Sequence, residues 1–192
     1  MIHLALALTV FYLTHSLLAW TGVKRWVNSI VGLHRWYRRV YTMISLLLFA
    51  WVYFAYTRAG RYEAYWTTGP AVSITGWSLI LLGAYLAAAA VLRFGGMAFL
   101  GLTPELPGTL VRTGLHGRVR HPIYSGVLLS LAGWLCLSPN WPTVISILIT
   151  LCYLPFGIHL EELKLIAVHG DAYRHYRGEV PALVPRWRTK VG

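Results

Sequence analysis

Acidic side chains are scarce: six Asp and Glu stand against seventeen Lys and Arg in 192 residues, and charged residues make up only 12% of the chain. A water-soluble domain of ordinary composition carries about a quarter charged residues to cover its surface. Cysteine is almost missing as well. Cys136 and Cys152 both fall inside apolar runs, at a spacing that matches no disulfide frame or zinc site, and they read as packing thiols. No metal-ligand spacing links the histidines and cysteines. Phosphate-loop, dinucleotide-binding and nucleophile-elbow patterns are absent too. No tandem repeat, low-complexity tract or second domain interrupts residues 1–192. Metal, nucleotide-phosphate and serine-nucleophile chemistry thereby lose their sequence support.

What the chain has instead is long apolar runs, with 57% hydrophobic residues and a mean hydropathy of +0.56. Met1 to Val23 contains no charged residue, Val40 to Thr57 is a run of 18 and Ala71 to Leu92 one of 22. At about 1.5 Å per residue each covers or nearly covers a hydrocarbon core of about 30 Å. No basic stretch precedes the first run and no small-residue cleavage pattern follows it, so it is expected to stay as a helix. Pro122 to Leu160 is 39 residues without a formal charge, broken by Ser138-Pro139-Asn140-Trp141-Pro142. That pentad predicts a helical hairpin whose first arm, Pro122 to Leu137, has only 16 residues. Pro155 predicts a kink in the second arm. The fold expected is an all-α integral membrane protein of about five transmembrane helices. Three spans lie in residues 1–92, and residues 93–192 hold the hairpin 122–160 and a tail 161–192.

Orientation follows from Lys and Arg, which are fifteen on one set of alternate connections and two on the other. The positive-inside rule puts the tail in the cytoplasm and the N-terminus outside. The net charge of +11 is spread between spans and forms no separate basic domain, so an anionic leaflet, not nucleic acid, is the expected partner. Gly22 to Arg39 mixes Trp26, Trp36 and Tyr37 with basic residues, as an interfacial helix does. Leu163, Ile166, Ala167, Tyr173 and Tyr176 recur at helical spacing, so a helix continuing from the last span is expected, followed by a lid-like segment through Pro181, Pro185 and Trp187.

Two polar constellations stand out. Gly114-Leu115-His116-Gly117-Arg118-Val119-Arg120-His121-Pro122-Ile123-Tyr124-Ser125-Gly126 leads into the hairpin. Pro122 suits the first turn of a helix, whose unpaired N–H groups and positive dipole end offer an anion a docking place beside Arg120 and His121. Tyr124 lies one turn in, and Gly126 lets something approach the backbone. Arg112 and Arg118 read as membrane anchors. The second constellation is Glu161-Glu162, where the apolar run stops. Adjacent helical residues point about 100° apart, so one carboxylate is expected to face a pocket while the other caps or pairs nearby. Together the two suit a zwitterionic ligand. His15 and His159 read as hydrogen-bonded packing histidines, with ligand or proton-carrier roles as the alternative. Gly95-Gly96 reads as a flexible helix exit, and Arg186 and Arg188 as snorkelling anchors.

The constellations resemble the family of integral membrane methyltransferases that includes isoprenylcysteine carboxyl methyltransferase and phospholipid N-methyltransferases. The matching pieces are Leu110-x-x-x-Gly114-Leu115, Arg120-His121-Pro122-Ile123-Tyr124-Ser125-Gly126, Glu161-Glu162-x-x-Leu165, Gly170-Asp171-x-Tyr173-x-x-Tyr176 and Val180-Pro181. In the N-terminal half, His15-Ser16-Leu17-Leu18-Ala19 and Tyr37-Arg38-x-x-Tyr41 are similar to the bacterial branch that includes methanethiol S-methyltransferases and NnrU-like proteins, which implies a prokaryotic inner membrane. The resemblance implies S-adenosylmethionine as cofactor, bound at the cytoplasmic side. It puts His121, Tyr124 and Gly126 against the cofactor beside Arg120 and Pro122, with Gly114, Leu115 and Val119 lining the approach. Glu161 and Glu162 hold its polar groups and Tyr173 closes the pocket.

The implied partner is a small lipophilic methyl acceptor: a thiol, a prenylcysteine carboxylate or a lipid amine. Many prenylcysteine enzymes carry an Arg shortly before the paired glutamates, where this chain has Phe156-Gly157-Ile158-His159. Methyl transfer from a sulfonium is an in-line displacement whose difficult part belongs to the cofactor, so few ionisable residues suffice. No general base stands out. A non-catalytic membrane protein of the same fold, a cofactor sensor or assembly factor, therefore remains the alternative. A sterol-reducing enzyme would need a nicotinamide site, for which no motif is present.

Overall fold

The structure is a computed structural model describing residues 1–32, 36–59, 64–66, 68–93 and 110–186. Among the described residues the helices are α1 Ile2–Ala19, α2 Thr21–Val31, α3 Tyr37–Arg58, α4 Pro70–Arg93, α5 Pro122–Leu137, α6 Trp141–His169 and α7 Asp171–Glu179, with a 3₁₀ turn at Gly114–Gly117. Among the described residues, α1, α3, α4 and α6 are long and apolar enough to cross a membrane, and α5 is a shorter apolar helix. The protein is an integral membrane protein. Its spans expose large side chains such as Leu46, Leu47, Phe49 and Leu81 on their outer faces, where lipid tails replace water.

The first span is shorter than the apolar run suggests. It ends at Ala19, Trp20 is extended, and a new helix begins at Thr21. Continuing straight would carry Lys24 and Arg25 along the span. Turning instead lets Val23, Val27, Ile30 and Val31 line one side of α2, which buries none of its residues and lies as an interfacial helix would. Gly32, at φ 65, ends it in the left-handed conformation that glycine alone adopts cheaply.

Leu4, Ala7 and Leu8 of α1 and Ala55 of α3 form the buried core, with Tyr12, Val52, Tyr56 and Ile149 against it. Helices α4 and α5 form an antiparallel pair through glycines. A Cβ on Gly83 would strike the Gly126 carbonyl oxygen, and one on Gly133 would strike that of Gly76. Lipid supplies no hydrophobic drive between helices, so this close approach is what packs the pair. Tyr56 joins the two groups of helices, its hydroxyl 2.9 Å from Thr143 Oγ1 and its ring 5.0 Å from that of Trp134.

Asn140 starts α6, its Oδ1 accepting the Thr143 N–H at 3.0 Å, with Pro142 in the first turn where no N–H is missed. The helix runs for 29 residues, continuous through Pro155. At about 1.5 Å per residue it is longer than a hydrocarbon core, and its last turns stand clear of one. Gly170, at φ 57, breaks the helical spacing expected to carry on through Tyr173 and Tyr176, which sit on the separate α7. Neither His159 nor Cys152 packs inward: both are exposed on the outer surface of α6. Gly95-Gly96, Arg188 and Trp187 lie outside the described residues.

Candidate functional site

The 3₁₀ turn, the start of α5, the end of α6 and all of α7 meet at one end of the bundle. His121 occupies the N-cap position of α5, and its side chain is almost wholly buried between the two glutamates. Its Nε2 lies 3.2 Å from Glu162 Oε1 and its Nδ1 3.4 Å from Glu161 Oε2. The two carboxylates thus reach a single ring. Helical geometry had implied that they point to different places. An imidazole inserted between them presents its nitrogens on opposite edges, which removes the conflict.

Glu162 is buried and Glu161 half exposed. Arg120 donates to Glu162 Oε1 from Nε at 2.9 Å and Nη2 at 2.7 Å, and its Nη1 donates to the carbonyls of Arg177 and Val180. Arg177 Nε stands 3.5 Å from Glu162 Oε2. The Tyr124 ring lies 5.7 Å from that of His121, with its hydroxyl against Glu161.

A strap of main chain crosses the start of α5. The N–H of Arg120 donates to Pro181 O at 2.9 Å, that of His121 to Ala182 O at 3.0 Å, and the Ser125 hydroxyl to Leu183 O at 2.6 Å. Carbonyl oxygens therefore take the two N–H groups that immediately precede the helix start at Pro122.

Gly114 and Leu115 border a cavity of about 600 Å³, together with Tyr85, Ala89 and Arg93 of α4 and Arg118. Gly114 sits at φ 65, which calls for glycine, and a Cβ there would stand 3.1 Å from the movable tip of Arg93. Val119 and Pro122 are buried, and neither lines the cavity. Gly126 faces elsewhere: what approaches it is the backbone of α4 at Gly83. Arg112 is no free anchor either, since it donates to Ala172 O and lies 5.9 Å over the Tyr176 ring, holding α7 down.

Helix α7 packs over this end through Tyr173 and Tyr176, both buried. The Tyr176 hydroxyl donates to His116 O. The Tyr173 hydroxyl is buried with no hydrogen-bond partner among the described residues. Burial, then the negative charge of Glu162, raises the Tyr173 phenol above its ordinary value, so it stays a donor at neutral pH. Burial also lowers His116, with His121 and Arg93 acting in the same sense. The sequence reading missed Arg177, Arg93, Tyr85 and the strap carbonyls. Arg177, at the end of α7, carries no local signal of its partner fifteen residues away. Among the described residues no group of three His, Cys, Asp or Glu could hold a metal ion.

Comparison with known proteins gives the following. The model of the family described as NnrU protein matches residues 3–162. A methanethiol S-methyltransferase of Pseudomonas deceptionensis is 29% identical over 97% of this chain and 73% of its own length. Methanethiol S-methyltransferase 2 of Bradyrhizobium diazoefficiens is 31% identical over 94% of this chain and 71% of its own. A protein-S-isoprenylcysteine O-methyltransferase of Schizosaccharomyces pombe is 30% identical over 55% of this chain and 46% of its own. No solved structure matches.

Proposed function

The chain belongs to the NnrU protein family and is an integral membrane methyltransferase, and from that premise we propose that it takes its methyl group from S-adenosylmethionine and gives it to a small membrane-partitioned thiol. The observation that carries this is the meeting of His121, Glu161 and Glu162 at one point, at the bundle end where Gly114 and Leu115 border a cavity. We further propose that residues 1–192 act as one unit, with this end of the bundle in the cytoplasm of a prokaryotic inner membrane. The distribution of Lys and Arg supports that orientation.

The residues present fit such a donor. Glu161 is half exposed and touches His121 through one oxygen, which leaves capacity for an ammonium group. Arg93 and Arg118 border the cavity and suit a carboxylate, while Leu115, Ala89 and Tyr85 offer apolar surface to a purine. The Tyr173 hydroxyl is a buried donor without a partner among the described residues. A volume of about 600 Å³ lies within the usual range for small-molecule sites.

Bound there, S-adenosylmethionine supplies an electrophilic methyl carbon on a sulfonium. The chain's part is placement. Arg120 and Arg177 neutralise Glu162, so that carboxylate holds His121 in place without adding a loose charge. The strap and α7 pack at the buried His121 and Glu162, while Glu161 stays half exposed. A thiol is favoured as acceptor because the methanethiol enzymes match over 90% of this chain, whereas the prenylcysteine match covers 55%.

Calorimetry of the purified protein with S-adenosylhomocysteine tests the reading. Binding in the micromolar range is expected for the wild type, with loss in the double variant His121→Ala, Glu162→Ala. Absence of wild-type binding at high micromolar concentration overturns it.

A further inference from the structure

The bundle holds a second polar centre, which the donor site leaves unused. His15 of α1 faces Tyr41 and Ser45 of α3. The Tyr41 hydroxyl lies 2.9 Å from His15 Nε2 and 3.0 Å from Nδ1, and Ser45 Oγ lies 3.3 Å from Nδ1. Next to it on α1, Ser16 Oγ is 2.6 Å from the Tyr153 hydroxyl of α6. The Tyr153 ring stacks on Tyr12 at 4.2 Å, and Tyr12 bonds Thr150 at 2.7 Å. Gly157 makes room, since a Cβ there would stand 3.1 Å from the Tyr153 ring.

Satisfied hydroxyls of this kind do pack membrane helices together. An imidazole adds something that helix packing does not need, a ring nitrogen with a lone pair that can accept a proton. A hydroxyl can donate or accept, so Tyr41 and Ser45 support the ring in either protonation state.

Two observations tie this centre to the donor site. Tyr124, whose hydroxyl meets Glu161, is also within electrostatic reach of the Tyr153 and Tyr41 hydroxyls. Both sets of residues also lie toward the same bundle end, His15 in the last turns of α1, Tyr41 in the first of α3 and Tyr124 in the first of α5. Meanwhile the basic groups of the donor site are engaged with one another: Glu162 with Arg120, His121 and Arg177, and Glu161 with His121.

We propose that this centre receives the thiol acceptor and that His15 takes its proton, with Tyr41 and Ser45 as positioning residues. The inference rests on the donor-site reading above and adds the acceptor half. The S–H bond breaks and its proton goes to a ring nitrogen of His15. The sulfur lone pair forms the new S–CH₃ bond as the methyl carbon leaves the donor sulfonium, whose sulfur keeps the electron pair and becomes a neutral thioether. The products are a methyl thioether and a proton, which passes from His15 to water.

The test uses full-length protein in lipid nanodiscs. Methyl transfer from labelled S-adenosylmethionine to ethanethiol is followed across pH, and ethanethiol binding to donor-free protein is read separately by calorimetry. His15→Gln should lower kcat at least 100-fold, the scale of a lost general base, and remove the acid-side fall of the wild-type profile, while S-adenosylhomocysteine affinity stays within about twofold as the check on folding. Tyr41→Phe should lower kcat roughly tenfold, a partial loss of base positioning, and move that fall along the pH axis. A kcat and a pH profile unchanged in both variants overturn the proposal. Wild type that binds no S-adenosylhomocysteine would instead refute the donor-site reading, and ethanethiol binding that is the same in wild type and His15→Gln would then overturn this one.

Discussion

Replacing Glu162 by Gln keeps the side chain's length and removes its charge. Its Oε1 accepts from Arg120 at 2.9 and 2.7 Å and lies 3.2 Å from His121 Nε2, while Oε2 faces Arg177 at 3.5 Å. The side chains of Glu162 and Arg120 are only 8% and 12% exposed, so the pair belongs with buried ion pairs. Removing one partner of such a pair costs about 3–5 kcal/mol, whereas exposed pairs contribute under about 1 kcal/mol. Arg120 keeps the Arg177 and Val180 carbonyls as acceptors, which argues for the lower end. The expected loss is about 3 kcal/mol, on the order of a hundredfold in the folding equilibrium. Denaturant titration in detergent, followed by tryptophan fluorescence, measures it. Asp171→Asn is the internal control, because the Asp171–Arg174 pair is 95% and 61% exposed and should give no measurable change. A Glu162→Gln loss no larger than that of the control would refute the burial argument.

Gly83→Ala should cost about 1–3 kcal/mol by the same titration and weaken S-adenosylhomocysteine binding. The added Cβ meets the Gly126 carbonyl and stands 2.9 Å from Ser130 N, forcing α5 and its leading His121 away from α4. Tyr173→Phe should leave stability equal to or above wild type, since it deletes a buried hydroxyl with no partner among the described residues. It should also weaken S-adenosylhomocysteine roughly tenfold, about one hydrogen bond's worth, by calorimetry. His116 is held below its ordinary value by burial. The unfolded chain therefore binds its proton first, and the His116 contribution is full above about pH 6.5 and lost as pH falls below that. Thermal melts should show that acid-side loss flattened in His116→Gln.

The spans were legible because lipid asks so little of a sequence: unbroken apolar length, and basic residues on one side. Boundaries failed where a local rule met a competing one. At Ala19 the apolar run continued but Lys24 and Arg25 forced a turn, and at Gly170 helical spacing continued while the backbone did not. Gly126 was visible as a place of close approach, but its partner, Gly83, lies 43 residues earlier and no local pattern joins the two. His121 and the glutamate pair were found because carboxylates are so rare here. Their shared ring was missed because a rule for two side chains on one helix says nothing about a third group inserted from another. His15 was read as a hydrogen-bonded histidine, and it is one; its partners Tyr41 and Ser45 lie on another helix, so no local pattern named them.

The strap over α5 holds by carbonyl oxygens at Pro181, Ala182 and Leu183. Every amino acid brings the same carbonyl, so a scan of point changes across these three positions would look almost silent. Deleting one residue there would shift every acceptor by a register and release Arg120, His121 and Ser125 together. Insensitivity to substitution at this stretch would therefore be a poor guide to its importance, and sensitivity to length a good one.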